Sequence, residues 1–183
     1  MNFEAVLKLL VENFQKHNIR FALIGGFALQ ASGYTRASED IDFLSAKEDM
    51  PKVKGILLAH GYEAIHESED VSTFVSRLSQ LGRVDFLHAH RKYTRAMLER
   101  AVERNVFGGR IRIKVVTPED LIGLKVQSSS NDPARYHRDM ADIEELMKAH
   151  RGKLDVTLLK EYFGLFGRQK ELEKLLDGTG DVE

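Results

Sequence analysis

The hydrophobic pattern of this chain changes near residue 117, and that change limits the folds open to it. Before this point, short apolar or alternating runs are separated by glycines and polar turns, a pattern typical of β-strands between short helices. After it, apolar residues recur every three or four positions, as in amphipathic helices. We therefore expect an α+β protein with a small mixed β-sheet flanked by helices. The predicted division is an α/β core at 1–117 and a C-terminal helical segment at 118–183 packed on that core.

The predicted elements of the first part alternate between helix and strand. Apolar spacing from Phe3 to Phe14 predicts a first helix. The apolar run Arg20–Ile24 predicts a buried strand that stops at Gly25–Gly26, and Asp40–Leu44 predicts a second strand. Further helices are expected at 27–31, 50–60 and 93–102, and further strands at 73–78, 83–87 and 110–116, with a hairpin turn at 80–82.

Only helices are predicted after residue 117. Thr117 is suited to cap a helix that has Pro118 at its first position. That helix is expected to run to residue 128, with a loop at 128–133 after it. The remaining helices are expected at 135–150, 154–166 and 169–176.

Composition excludes several kinds of site. The chain has no cysteine, so disulfides, thiolate metal ligands and cysteine nucleophiles are excluded. Its formal net charge is -1, which gives no global attraction to nucleic acid or to a membrane. The N-terminus lacks the pattern of a signal peptide, and no apolar run reaches the roughly 20 residues of a bilayer span. We expect a cytoplasmic protein with no membrane partner.

Asp40 and Asp42 form the pattern with the clearest chemical meaning. Residues i and i+2 of a strand project to the same face, so both carboxylates point away from the core-facing Ile41 and Phe43. Two carboxylates on one face repel each other unless a cation lies between them. Mg²⁺ prefers such oxygen ligands and keeps positions open for water and phosphate. Taken alone, the pattern is more typical of a solvated strand end than of a metal site.

Neighbouring residues favour a site that handles a triphosphate. Gly25 and Gly26 follow a buried strand, where glycine lets the main chain approach a phosphate closely. Arg36 and Ser38 place a cation and a hydroxyl shortly before the acid pair. Asp85 is a third acid, on another strand where it alternates with apolar residues. The sequence therefore predicts a metal–nucleotide site with three acids, a glycine turn and a cationic group.

Two other patterns have simpler interpretations. His88 and His90 follow Asp85 at a metal-ligand spacing, but no distant ligand completes the set, so surface histidines at a strand end are favoured. The basic residues between 91 and 104 are typical of a solvated helix face, with a polyanion such as RNA as the open alternative. No P-loop, G-x-G-x-x-G or G-x-S-x-G motif is present.

One set of motifs runs through most of residues 20–147 and leaves the extreme C-terminus unmatched. It comprises Gly25–Leu29, Gly33, Arg36, Ser38, Asp40–Leu44, Thr117–Lys125 and Arg135–Ile143. This set resembles the signature of the nucleotidyltransferase superfamily, which has the DNA polymerase β-like fold. The branch that it resembles most is that of the minimal bacterial and archaeal enzymes, which include abortive-infection toxins.

The resemblance implies a two-metal transfer of a nucleoside monophosphate from an NTP, such as ATP, to a hydroxyl group. Asp40 and Asp42 would bind Mg²⁺ or Mn²⁺ ions that bridge the nucleotide phosphates. Asp85 would hold the ion that activates the incoming hydroxyl, and pyrophosphate would leave in line. Gly25 and Gly26 would contact phosphate.

The resemblance also has implications for the helical segment and for partners. Lys125 and Arg138 match basic positions expected near the triphosphate, where Asp139 and Asp142 would orient them; an ordinary solvated lysine is the alternative for Lys125. The acceptor would be a tRNA, a protein or a small molecule, and a toxin would have an antitoxin protein as its partner. A domain of the same fold that binds nucleotide or a partner without turnover is the main alternative, and a phosphohydrolase is a remoter one.

Overall fold

Seven strands form one mixed β-sheet in the part of the chain that the computed structural model describes, residues 1–34, 36–78 and 80–178. The strands are β1 (Phe21–Ile24), β2 (Asp40–Ala46), β3 (Tyr62–Glu67), β4 (Val71–Ser76), β5 (Arg83–Ala89), β6 (Val102–Val106) and β7 (Ile111–Val115). Their order in the sheet is β3-β4-β5-β2-β1-β7-β6. β1 pairs with β7 and β2 with β5 in parallel, and the other pairs are antiparallel. This mixed sheet and its helices confirm the predicted α+β class.

The helices fall on both sides of residue 117. They are α1 (Phe3–Lys16), α2 (Gly25–Ala31), α3 (Met50–Ala59), α4 (Lys92–Arg100), α5 (Pro118–Asn131), α6 (Tyr136–Ala149), α7 (Val156–Leu165) and α8 (Gln169–Gly178). Short 3₁₀ turns lie at Lys47–Asp49 and Pro133–Arg135. No helix within the described ranges is long and apolar enough to cross a membrane.

Internal contacts divide the chain into two units. One comprises Met1–Ala31 and Arg36–Val116, and the other comprises Ser32–Thr35 and Thr117–Glu183. The first unit contains all seven strands, and the second contains α5 to α8. Residues 179–183 of the predicted helical segment lie outside the described residues, and the packing of that segment on the core stays a prediction.

Aromatic side chains form the centre of the first unit on one face of the sheet. Phe43 of β2 and Phe86 of β5 stack with ring centroids 5.4 Å apart, and Phe14 of α1 packs edge-on against both. All three rings are buried. Because side chains alternate along a strand, the residues next to Phe43 and Phe86 project to the opposite face. The packing of the core thus directs Asp42 and Asp85 to a common face of the sheet.

Two strands at the edges of the sheet are not predicted by the sequence. β3 follows α3, and β6 occupies the place where the helix predicted at 93–102 was expected to end. Both carry mostly exposed side chains and pair on one side only, with β4 and β7 respectively. Main-chain hydrogen bonds hold such edge strands, so they need little apolar pattern. Alternation of apolar and polar residues therefore does not predict β3 or β6.

The loop predicted at 128–133 is wrong in its first part, because α5 continues to Asn131. Ser129 Oγ donates a hydrogen bond to the carbonyl of Lys125 at 2.8 Å, and Ser130 Oγ donates one to the carbonyl of Val126 at 2.7 Å. Serine is usually a weak helix former because its hydroxyl competes for the main chain. Here the hydroxyls bond back to the preceding turn, which is compatible with the helix.

Candidate functional site

The central site residues come together through the parallel pairing of β2 with β5. In that register Asp42 lies beside Asp85, and Asp40 lies beside Arg83. Ile41 of β2 is fully buried on the opposite face, whereas Asp40, Asp42 and Asp85 are half-buried. The i, i+2 prediction for the acid pair is therefore matched by the geometry, and the third acid is on the same face.

The three carboxylates form a compact cluster. One oxygen from each of Asp40, Asp42 and Asp85 can be chosen so that all three lie within 4.8 Å of one another. Like charges directly opposite each other in a sheet are destabilising, so the arrangement favours a cation between the strands. Hard carboxylate oxygens at this spacing suit Mg²⁺ or Mn²⁺. Among the residues that the structure describes, no other group of three or more histidine, aspartate or glutamate side chains is close enough to share an ion.

Two residues that the sequence analysis missed hold the third acid in place. Thr73 of β4 lies opposite Asp85 and donates a hydrogen bond from Oγ1 to Asp85 Oδ1 at 2.6 Å. Arg83 Nε donates to Asp85 Oδ2 at 2.7 Å. This hydrogen bond, with the negative charges of Asp85, Asp40 and Asp42, raises the pKa of Arg83 despite its partial burial. Arg83 could have been found from the alternation in Arg83-Val84-Asp85, which puts it on the face of the acids.

Gly25 and Gly26, predicted as a turn, are the first two residues of α2, and they are packed directly against the acid pair and its flanking serine. Gly25 has a φ of +65°, and a Cβ atom there would lie 1.9 Å from Asp42 Oδ2. A Cβ atom at Gly26 would lie 2.6 Å from Ser38 Oγ. Both positions therefore require the absence of a side chain, because these distances are far shorter than a van der Waals contact. The contact of these glycines with phosphate stays a prediction.

Ser38 and Arg36 lie on the segment that leads into β2. Ser38 Oγ donates to the main-chain carbonyl of Asp40 at 3.0 Å and lies 3.4 Å from its Oδ1. This hydroxyl therefore helps to fix the start of β2 next to the acid cluster. Arg36 is half-buried, and its carbonyl accepts a hydrogen bond from Gln30 Nε2 at 2.6 Å.

Lys125 and Arg138 lie in the second unit. Lys125 is buried, and its Nζ lies 2.9 Å from Asp139 Oδ1 and 2.7 Å from Asp142 Oδ2. It is therefore not the ordinary solvated lysine of the alternative interpretation. Arg138 is exposed on α6. For both residues, contact with a triphosphate stays a prediction.

Removal of the Lys125 charge should strongly destabilise the fold, because it leaves buried acids without a cation. Replacing Lys125 with methionine leaves two buried carboxylates without their ammonium partner, so we expect the free energy of unfolding at pH 7 to fall by about 3 kcal/mol. Urea unfolding measures this change. Lys148→Met is the matched control, since Lys148 forms an exposed pair with Glu145 on α6, and its loss should cost less than about 1 kcal/mol. Equal losses in the two variants would contradict a structural role for the buried pair.

The same cluster predicts a loss of stability in acid. Burial acts to raise the pKa of Asp139, but its hydrogen bond and charge interaction with Lys125 outweigh burial and hold the pKa below its usual 3.8. A lowered pKa in the folded state gives stability that is full above the unfolded value and is lost as pH falls through the folded value. We therefore expect wild-type stability to drop below pH 3.8, and Asp139→Asn to show a shallower drop in thermal unfolding experiments.

The histidines and the basic stretch are occupied by structural contacts. The surface prediction is wrong for His88, which is buried; its ring lies 3.0 Å from Ser72 Oγ and 2.9 Å from the Glu69 carbonyl. Burial lowers the pKa of this imidazole. Two arginines of the basic stretch form ion pairs with acids, Arg91 with Asp70 and Arg95 with Glu48. The two ion pairs agree with the structural interpretation of the basic stretch.

Comparison with known proteins identifies the family. The family model described as "uncharacterised nucleotidyltransferase" matches residues 1–176. No curated protein matches the chain in a sequence search. The solution structure of the antibiotic-resistance factor ANT(2'')-Ia superposes with a TM-score of 0.70 at 13% identity and covers 95% of this chain and 99% of its own.

Two further solved structures have the same fold. The lincomycin-bound lincosamide antibiotic adenylyltransferase LnuA has a TM-score of 0.58 at 19% identity, covering 78% of this chain and 95% of its own. An antigenic nucleotidyltransferase-like protein from Paracoccidioides brasiliensis has a TM-score of 0.61 at 16% identity, covering 96% of this chain and 92% of its own. At these identities the likeness is one of fold. The predicted superfamily is confirmed, and the toxin-like branch stays a prediction. Because the family model spans nearly the whole sequence, the chain belongs to this family and is a nucleotidyltransferase.

Proposed function

We propose that this protein transfers a nucleoside monophosphate from an NTP to a hydroxyl acceptor, with Mg²⁺ or Mn²⁺ held by Asp40, Asp42 and Asp85. The observation that carries the proposal is the cluster of three carboxylates from two neighbouring strands, in a chain of the nucleotidyltransferase family. In the transfer, the acceptor oxygen bonds to the α-phosphorus, the bond from that phosphorus to the bridging oxygen breaks, and pyrophosphate leaves. The acceptor proton is lost to solvent or to a nearby base.

Each residue of the site has a distinct role in this proposal. A bound divalent ion would neutralise phosphate charge and lower the pKa of the acceptor hydroxyl. Asp40 and Asp42 would hold the ions, and Asp85 would complete the ligand set. Thr73 fixes the orientation of Asp85 through its 2.6 Å hydrogen bond. Gly25 keeps the space over Asp42 clear, because any side chain there would collide with the carboxylate.

The position of Asp85 supports turnover over binding alone. A domain that had lost transfer activity would be favoured if Asp85 pointed away from the acid pair or lay beyond shared reach of a metal. Instead, its carboxylate lies within 4.8 Å of the other two ligand oxygens, and Thr73 orients it through a hydrogen bond to Oδ1. An oriented third carboxylate is the feature expected of a site that activates a hydroxyl.

The names of two proteins of the same fold suggest an order among the acceptor classes. ANT(2'')-Ia is an antibiotic-resistance factor, and LnuA is a lincosamide antibiotic adenylyltransferase. Both therefore connect this fold with antibiotics, and the second with transfer of an adenylyl group. Small hydroxylated molecules accordingly stand first among the proposed acceptors here, followed by a tRNA and a protein hydroxyl. A toxin role with an antitoxin partner is a further proposal, which rests on the sequence resemblance.

Transfer of labelled nucleotide tests the function directly. The full chain is incubated with Mg²⁺ and each α-labelled NTP in turn, together with total RNA, a protein extract or a fraction of small molecules. We expect label to enter one acceptor fraction with one or two of the NTPs, and pyrophosphate to form in equal amount. The Asp42→Ala variant should give neither product. Absence of transfer into all three fractions, with no effect of any NTP on thermal unfolding, would reject the proposed function.

A further inference from the structure

Arg83 is a cationic side chain within the face that carries the three acids. On β5 it lies beside Asp40 of β2, as Asp85 lies beside Asp42, so one guanidinium and three carboxylates form a quartet across the two central strands. Its Nε donates to Asp85 Oδ2 at 2.7 Å. The Arg83 side chain is 52% exposed, whereas that of Asp85 is 20% exposed. Arg83 can therefore move toward solvent without breaking the packing of the core.

Hydrogen bonds engage both oxygens of Asp85. Thr73 donates to Oδ1 and Arg83 donates to Oδ2. The two donors differ in charge, because Thr73 is neutral and Arg83 carries a full positive charge. Thr73 can thus orient the carboxylate beside a metal ion, whereas Arg83 repels any further cation that approaches Asp85. The two donors therefore have different effects: Thr73 orients the Asp85 carboxylate, and Arg83 balances its negative charge.

Charge balance indicates what Arg83 does in the site. Three carboxylates next to one guanidinium leave a net charge that a single divalent ion would neutralise. A second divalent ion would then enter a site with no remaining negative charge, unless a triphosphate brings its own. An exposed ion pair contributes little to stability, so fold stability alone does not explain why Arg83 lies on this face.

We propose that Arg83 is a positioning residue that forms an ion pair with Asp85 until a nucleoside triphosphate is bound. While this ion pair is present, Asp85 does not share a divalent ion with Asp40 and Asp42. The inference rests on the proposed function and deepens it, since it concerns the order in which the same site is filled. In this way Arg83 makes binding of a divalent ion at Asp85 depend on a bound NTP. An enzyme arranged in this way does not hold an activated hydroxyl before a phosphate is in place.

Binding of Mn²⁺ alone tests the proposal without any measurement of activity. Free Mn²⁺ is followed by electron paramagnetic resonance in the full-length wild type, Arg83→Met and Arg83→Lys. Methionine keeps much of the aliphatic stem but removes the charge, so we expect Mn²⁺ to bind about tenfold more tightly, as the loss of one nearby positive charge would give. Arg83→Lys keeps the charge and should bind Mn²⁺ like the wild type. With an ATP or GTP analogue that has a methylene group between the α- and β-phosphorus atoms, the difference between wild type and Arg83→Met should shrink.

Two controls separate this inference from the proposed function. Arg77→Met removes another exposed arginine, which pairs with Glu63, and should leave Mn²⁺ affinity unchanged. Asp40→Asn should weaken Mn²⁺ binding in every background. If the wild type binds no Mn²⁺ even with the analogues, the proposed function fails. If the wild type binds Mn²⁺ but Arg83→Met binds it equally or more weakly, Arg83 is not a competing counter-ion and this inference alone is overturned.

Discussion

Replacing Asp42 with asparagine is expected to lower the rate of nucleotide transfer about a thousandfold, equivalent to about 4 kcal/mol of transition-state stabilisation. Asp42 is on the same strand as Asp40 and lies beside Asp85 of the neighbouring strand, so its carboxylate is close to both of the other acids. Asparagine keeps the shape but removes the charge that would hold a divalent ion. Initial rates of label transfer at fixed Mg²⁺, repeated at fixed Mn²⁺, measure the effect.

Glu39→Gln is the matched control for this variant. Glu39 is an exposed acid directly before the pair, and its replacement should change the rate less than twofold, within the range usual for a surface substitution. Thermal unfolding distinguishes loss of function from loss of fold. Asp42→Asn should unfold at the wild-type temperature or slightly above it, because it removes a like-charge contact with Asp85. A variant that retained most of its transfer rate would show that Asp42 does not hold the ion.

Replacing Gly25 with alanine is expected to disable the site while the chain remains folded. The φ of +65° at Gly25 costs a residue with a side chain about 1–2 kcal/mol. The new Cβ atom would also lie 1.9 Å from Asp42 Oδ2, so the carboxylate must move. We expect Mn²⁺ affinity to fall roughly a hundredfold, the upper end of losses seen when groups that orient a metal ligand are changed. The same electron paramagnetic resonance titration measures it.

Gly167→Ala separates the effect of backbone strain from that of the collision. Gly167 has nearly the same φ, +66°, but a Cβ atom there would meet nothing within 4 Å. Both glycine variants should therefore lose stability through strain, and only Gly25→Ala should lose Mn²⁺ affinity. Equal Mn²⁺ affinity in Gly25→Ala and wild type would show that Asp42 can shift without cost and that glycine is needed only for its positive φ.

Local periodicity accounts for the parts of the fold that were predicted. The apolar spacing in α1, the alternation in β5 and that in the first half of β2 were sufficient, because there each element places one clear face against the core. β3 and β6 were missed because edge strands are held by main-chain hydrogen bonds and expose most of their side chains. The end of α5 was missed because Ser129 and Ser130, ordinarily signals of a loop, bond back to the helix.

The acids of the candidate site were predictable, but their supporting contacts were not. Asp40 and Asp42 follow from a period of two within one strand. The partner of Asp85 depends on the register between β4 and β5, which the sequence pattern does not give. In the structure Thr73 of β4 lies opposite Asp85. The ion pairs of Lys125 likewise depend on how α5 packs against α6, which a linear pattern does not encode.

If the acid cluster holds an ion as proposed, the register of β2 and β5 makes the stability of this protein depend on the divalent ions in the solution. Like charges at Asp42 and Asp85 weaken the centre of the sheet when no ion is bound. In the unfolded chain these residues are far apart, so an ion that binds the cluster stabilises the folded state selectively. By mass action, an ion at a hundred times its Kd adds about 2.7 kcal/mol to the free energy of unfolding. In the proposed function, the carboxylates that weaken the ion-free sheet would therefore hold β2 and β5 together through the bound ion.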